Sequence, residues 1–398
     1  MHHPIKGPFD GRPLAFTLAV AAILLAAANL RGGIVVVGPL VDDIKQGLNF
    51  TASAFSMLTT LPLICFGIVS AMVPALTRRF SPPLLVLGAL LLIGLGAALR
   101  VTPAFLLILL GTLALGSAIA LLNVLIPGLV KGYFPRHPGV MTGLYSVTLS
   151  IGAGLGVYLA VPMRDAFSDW RAPMLLWAIL PLICLLPWLY LLRVHVHTYR
   201  PKQTTQSPLW RNPRAWAITG FMGLQSTYFY SVATWLPKLL IDAGLSDAYA
   251  GTATSLINLF GIPANLLAPI IATRLQDQRP LVLTIAAMAL IGLAGLLLAP
   301  AAAPVIWAAL IGFSAGASLS LALTLFALRS ENGTQAVALS AMAQSVGYLI
   351  AASGPLVIGA LYDLEKSWLL PLSLLLVLQL IQCLLGLVAA RPGTLSQP

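Results

Sequence analysis

The chain has 398 residues, 59% of them hydrophobic and only 8% charged, with a mean hydropathy of +0.94. So few charges could not cover the surface of a water-soluble domain, so composition excludes one and reads as an integral membrane protein. The formal net charge of +11 would point a soluble domain toward nucleic acid, whereas in this chain the placement of the charges matters more than their sum.

A helix crossing the hydrocarbon needs about 20 mainly apolar residues, because its backbone polar groups find no water there. Twelve segments qualify in chain order: 14–40, 51–77, 83–100, 104–130, 139–161, 172–192, 215–238, 248–273, 281–299, 304–328, 336–360 and 369–390. The first follows Lys6 and Arg12 as a secretory signal would, but the apolar run from Leu14 to Leu40 is far longer than a signal core. The connections are short except for RVHVHTYRPKQTTQSPLWRNPR, which divides the protein into six plus six. The expected fold is all-α, with twelve transmembrane helices in two pseudo-symmetric six-helix bundles, 1–192 and 215–398, joined by a linker at 193–214.

Counting Lys and Arg in alternating loops gives fifteen on the side that holds both termini and six on the other: Lys45, Arg100, Arg164, Arg171, Lys238 and Lys366. Both termini and the linker are therefore expected in the cytoplasm of an inner-membrane protein. On this count the positive charge is mostly an orientation signal, and nucleic acid is not implied. A shift of 199 residues lays YSVTLSIGAGLG, from Tyr145, over QSVGYLIAASGP, from Gln344, as two parallel repeats would. In folds of that kind the solute site lies near the midplane.

Arg31 is the remaining basic residue, about 17 residues into its span and so near the midplane. Facing lipid there would cost at least about 2.5 to 3.5 kcal/mol, so it must face the bundle interior or a wet cavity. One reading is an anchor that grips an anion or a nitro or carboxylate group through paired hydrogen bonds. The other is a structural arginine bonded to backbone carbonyls or a partner helix. Gly32 and Gly33 beside it allow close approach of a helix or a ligand. No Asp, Glu or His falls within the core of any span, which leaves a proton relay without a candidate and Arg31 without a counter-ion. Asp42 and Asp43 read as gate or solvated-end residues. Neutral polar residues in the spans are candidates for cavity lining or for helix-to-helix hydrogen bonds: Asn29, Asn123, Tyr145, Gln225, Tyr228, Asn258, Gln344 and Tyr348. Gln225 with Tyr228, and Gln344 with Tyr348, share helical faces by spacing.

Three motifs carry less than they promise. GAGLG, Gly152 to Gly156, lies within a span without a preceding strand and reads as close helix packing. His195 and His197 sit in the basic linker, so no metal site is expected, and no cofactor is implied. Cys65, Cys184 and Cys383 lie in apolar runs far apart and read as small buried residues with no disulfide framework. An enzyme would need a nucleophile, an acid–base pair or a metal cluster facing the cavity, and the spans provide none.

The twelve spans, the basic linker, the turn LTRRFSPP and the Gly- and Pro-rich fifth and eleventh spans resemble the major facilitator superfamily. NLRGGIVVVGPL, LTTLPLICFG, NVLIPGLVKGYFP, TGLYSVTLSIGAGLG, ATWLPKLLIDAG and ALSAMAQSVGYLIAASGP, in that order, resemble its cyanate and 2-nitroimidazole transporter family, leaning to the nitroimidazole arm. The resemblance implies a secondary active or facilitative transporter that alternates access to a midplane site. Its partners would be the lipid bilayer, a small polar, anionic or nitro-heteroaromatic solute, and a proton or counter-solute, with the protein a monomer. A broader organic-anion or drug efflux protein and a non-transporting sensor are the alternatives. The superfamily pattern Gly-x-x-x-Asp-Arg after the second span lacks its acid here, so the cytoplasmic charge latch that the resemblance implies is left at Arg78 and Arg79 without its carboxylate in the first half, whereas TRLQDQRP retains Asp277 and Arg279 and would supply a weaker version in the second.

Overall fold

The computed structural model describes Phe9 and residues 12–48, 52–193 and 209–395. Lys6, His195, His197 and most of the 193–214 linker lie outside the described residues. Helix is the regular structure throughout them. The first half contains α1 (Pro13–Ala28), α2 (Gly32–Val35), α3 (Val41–Leu48), α4 (Ala52–Arg79), α5 (Pro82–Leu99), α6 (Phe105–Tyr133), α7 (Pro138–Tyr158), α8 (Ala160–Phe167) and α9 (Arg171–Arg193). The second contains α10 (Pro213–Asp242), α11 (Asp247–Arg274), α12 (Arg279–Leu298), α13 (Pro304–Leu328), α14 (Gly333–Glu365) and α15 (Leu369–Ala389).

Helix starts follow local chemistry. Proline occupies the first turn of α1, α5, α7, α10, α12 and α13, where its missing N–H costs nothing. Asn212 caps α10 by accepting from the backbone N–H groups of Arg214 (2.9 Å) and Ala215 (3.2 Å), and Ser246 caps α11. Among the described residues, eleven helical segments are long and apolar enough to cross a membrane. The seventh expected span, α10, has the length at 30 residues, but its run of Gln225, Ser226, Thr227 and Tyr228 dilutes its apolar character.

The chain divides into two compact units, one of Met1–His137, Leu144–Thr204 and Asn332–Ala341, the other of Pro138–Gly143, Thr205–Glu331 and Met342–Pro398. Within the first, α5 packs on α6 and α9, α6 on α4, and α1 on α9. Within the second, α12 packs on α13 and α15, α13 on α11, and α10 on α15. These are the same four pairings once α1, α4, α5, α6 and α9 are matched to α10, α11, α12, α13 and α15. The internal packing thus repeats along the same shift that aligned the two sequences.

Small residues set the closest approaches. A Cβ on Gly152 would lie 2.3 Å from the Ala28 carbonyl oxygen, and one on Gly156 2.8 Å from that of Gly32, so GAGLG is a packing face of α7 against the first span. In the second unit Gly312 and Gly316 of α13 would meet the Ile257 and Gly261 carbonyl oxygens of α11 at 2.4 and 2.5 Å.

Candidate functional site at the break in the first span

The first expected span, 14–40, is interrupted at Asn29, Leu30 and Arg31. The Asn29 side-chain amide donates to the Leu25 carbonyl at 2.8 Å, so the side chain competes with the helix's own bonds. The backbone N–H groups of Asn29 and Leu30 bond three residues back, to Ala26 and Ala27, which tightens the last turn of α1. Gly32 and Gly33 then add the lowest helix propensity outside proline. Arg31 caps the short helix α2, its carbonyl accepting from the N–H groups of Ile34 and Val35.

This broken segment is held on several sides. Trp177 of α9 presses against Gly32, where a Cβ would fall 1.9 Å from its ring. Leu115 of α6 approaches Gly33, and Gly152 and Gly156 close in from α7. Asn29 is fully buried and also donates to Cys184 Sγ of α9 at 3.2 Å, and Trp188 Nε1 donates to the Ala22 carbonyl at 3.0 Å. Asn29 therefore serves a helix contact. The Arg31 guanidinium is different. It is half-buried, and among the described residues it has neither an acidic nor a hydrogen-bonding partner.

The remaining candidates divide by unit. In the first, Asn123 of α6 is buried. In the second, Gln225 donates to Ser226 Oγ at 2.6 Å on its own helix, and the Tyr228 hydroxyl lies 3.3 Å from Ser314 Oγ of α13, within an apolar cluster that includes Val232, Leu236 and Ile311. Gln344 and Tyr348 of α14 are buried, and Asn258 of α11 is exposed. The structure thus buries Tyr145 on α7, and ties Tyr228 into a helix-to-helix bond.

Of the expected latch residues, Arg78, Arg79 and Arg279 are exposed and Asp277 is half-buried. Arg78 and Arg79 end α4, and Asp277 pairs locally with Arg279 at 3.2 Å. The buried cation in this region is Arg329, after α13. It donates to the Ala389 (3.0 Å) and Ala390 (2.9 Å) carbonyls at the end of α15 and to Gln278 Oε1. It supplies positive charge to that helix's negative end. Burial pushes its guanidinium down to about 10, aided by the charge of Arg214 and opposed by Asp277.

Sequence reasoning placed Arg100 among the loop charges, and the structure corrects this. Arg100 follows the last residue of α5, is 2% exposed, and donates through Nη1 to the Gly33 carbonyl. Its position at a span end made it look like a solvated terminus, and the connection of only a few residues to α6 was the one sequence sign that it could be drawn inward. Of the acids read as gate or solvated-end residues, Asp43 pairs with Arg164 at 2.8 Å, and the Asp42 side chain lies outside the described residues. Cys65, Cys184 and Cys383 are free thiols. Among the described residues no group of three or more His, Cys, Asp or Glu is placed to hold a metal.

Residues 22–355 match the Major Facilitator Superfamily profile. The chain is 37% identical over 374 residues to the 2-nitroimidazole transporter of Escherichia coli (strain K12), covering 94% of this chain and 95% of that protein. It is 29% identical to the cyanate transport protein CynX of the same organism, over 87% of this chain and 91% of that one. The fold superposes on the crystal structure of the superfamily transporter FucP in its outward conformation with a TM-score of 0.69, covering 94% of this chain and 97% of that chain at 16% identity.

Proposed function

Since the chain belongs to the major facilitator superfamily, as a multi-pass membrane transporter, we propose that it moves a small polar, anionic or nitro-heteroaromatic solute by alternating access. The observation that carries this reading is the Arg31 guanidinium, half-buried in a span and without a partner among the described residues. A cation in that setting is costly unless something completes it. A carboxylate or nitro group offers two adjacent oxygens, which the planar guanidinium meets with parallel N–H bonds, and cyanate offers its negative charge through a single end atom. Tyr145, buried on α7 in the same unit, is the proposed second contact. Asn123, Gln225, Asn258, Gln344 and Tyr348 are proposed to line the solute's path, in the plasma membrane with both termini cytoplasmic. The names of the two relatives favour cyanate-like and nitroimidazole-like solutes as the first to test.

Counterflow in proteoliposomes separates transport from binding alone. Vesicles preloaded with unlabelled 2-nitroimidazole or cyanate are expected to accumulate the labelled compound transiently above the level in protein-free vesicles. Accumulation no greater than in protein-free vesicles for both compounds and for small carboxylates overturns the proposed solute class.

A further inference from the structure

We infer that Arg100 is a positioning residue for the anion site: by holding the Gly33 carbonyl, it fixes the broken segment from which Arg31 projects. The inference rests on the proposed role of Arg31 and extends it to a residue 69 positions away in sequence, which never touches the solute.

Arg100 stands on a rigid mount. Its own N–H bonds to the Gly96 carbonyl at the end of α5, whose negative pole favours a cation. Gly96 and Gly111 let α5 and α6 approach so closely that a Cβ on Gly111 would lie 2.6 Å from the Gly96 carbonyl oxygen and 3.2 Å from Arg100 Cγ. On the other side, Arg171 Nε of α9 donates to the Val101 carbonyl at 3.1 Å. The Arg100 side chain crosses from this mount to Gly33, two residues beyond Arg31.

The broken segment needs such a tie. A break removes backbone bonds that would otherwise fix the chain, and Gly32 and Gly33 have more freedom than any other residue pair. Trp177 and the α7 glycines restrain Gly32 by contact alone, whereas Arg100 supplies the charged hydrogen bond, the stronger and more directional restraint. A buried guanidinium is an expensive way to hold one carbonyl: Arg100 has no acidic partner among the described residues, and its Nε and Nη2 are buried without acceptors. An apolar side chain would fill the space at lower cost, so the bond to Gly33 is what the cation provides.

Two readouts test this. In a chain with Cys65, Cys184 and Cys383 replaced by alanine, Arg31→Cys reports the setting of position 31 through its rate of labelling by a water-soluble thiol reagent. Adding Arg100→Met is expected to change that rate by about fivefold or more, and Arg100→Lys, which keeps a donor, to return it toward the parent value. In the native chain, Arg100→Met and Arg31→Lys are each expected to weaken solute binding about tenfold, with the double variant no weaker than Arg31→Lys alone, because both act through one contact. Unchanged labelling in both Arg100 variants, or losses that multiply in the double variant, overturns the inference. Wild-type binding by Arg31→Lys with labelling still sensitive to Arg100 would instead remove the proposed role of Arg31 and leave the tie intact. Should Arg100→Met fail to fold, the comparison of Arg100→Lys with Arg100→Gln carries the test.

Discussion

Arg329 and Arg31 differ most in their acceptors. Arg329 bonds two helix-end carbonyls and Gln278, so its charge is shared among partners that were themselves orphaned at a helix terminus. Replacing Gln278 with Leu withdraws one of those acceptors and also leaves the Ala272 and Leu275 carbonyls, which the Gln278 amide serves at 2.9 and 2.6 Å, without that donor. A loss of about 1 to 3 kcal/mol is expected, read as a lower thermal midpoint of the purified protein, and an unchanged midpoint would contradict that account. Arg31 has no comparable set of acceptors.

At the scale of helices, glycine spacing decides which spans touch. Gly152→Ala pushes a methyl group into the Ala28 carbonyl, which is backbone and cannot rotate aside, whereas Gly154 has nothing within 4 Å of the added carbon. The first substitution is expected to cost about 1 to 3 kcal/mol and the second to fall within about 0.5 kcal/mol of the parent, both measured by thermal unfolding. Equal effects would contradict the packing role of GAGLG. That motif was legible in the sequence, because small residues on one face of an apolar run have few other uses. The positions of the spans were legible for the same reason, since about 20 apolar residues in a row leave little choice. The interruption at Asn29 to Arg31 was not: the asparagine side chain bonds only four residues back, as one inside an unbroken helix can, and the α9 tryptophan pressed on Gly32 is distant in sequence. Arg100 was hidden by a general habit of arginines at span ends, which extend their long stems toward water. Tyr228 matched the spacing of a lining residue but bonds Ser314 on another helix, a distinction that spacing cannot make.

At the scale of the whole molecule, the two units repeat one packing scheme, and the loop charges assign an orientation to it. With both termini on one side, that side holds most of the Lys and Arg, and by the positive-inside rule the proposed topology puts it in the cytoplasm. A fluorescent protein fused after Pro398 is expected to be fluorescent, and alkaline phosphatase fused there to be inactive; active phosphatase would reverse the proposed topology. The direction of net movement is a separate property, because a facilitative carrier can run either way with its gradient.

The role of Arg31 as the group completed by cargo is tested most directly by ligand-dependent stability of the purified protein. A solute present at about 100 times its dissociation constant should stabilise the wild type by about 2.7 kcal/mol. The account predicts a rise in thermal midpoint with 2-nitroimidazole or cyanate in the wild type, none in Arg31→Ala, and little in Arg31→Lys, with the ligand-free midpoint of Arg31→Ala no lower than that of the wild type. A ligand-induced rise in Arg31→Ala equal to that of the wild type would contradict it.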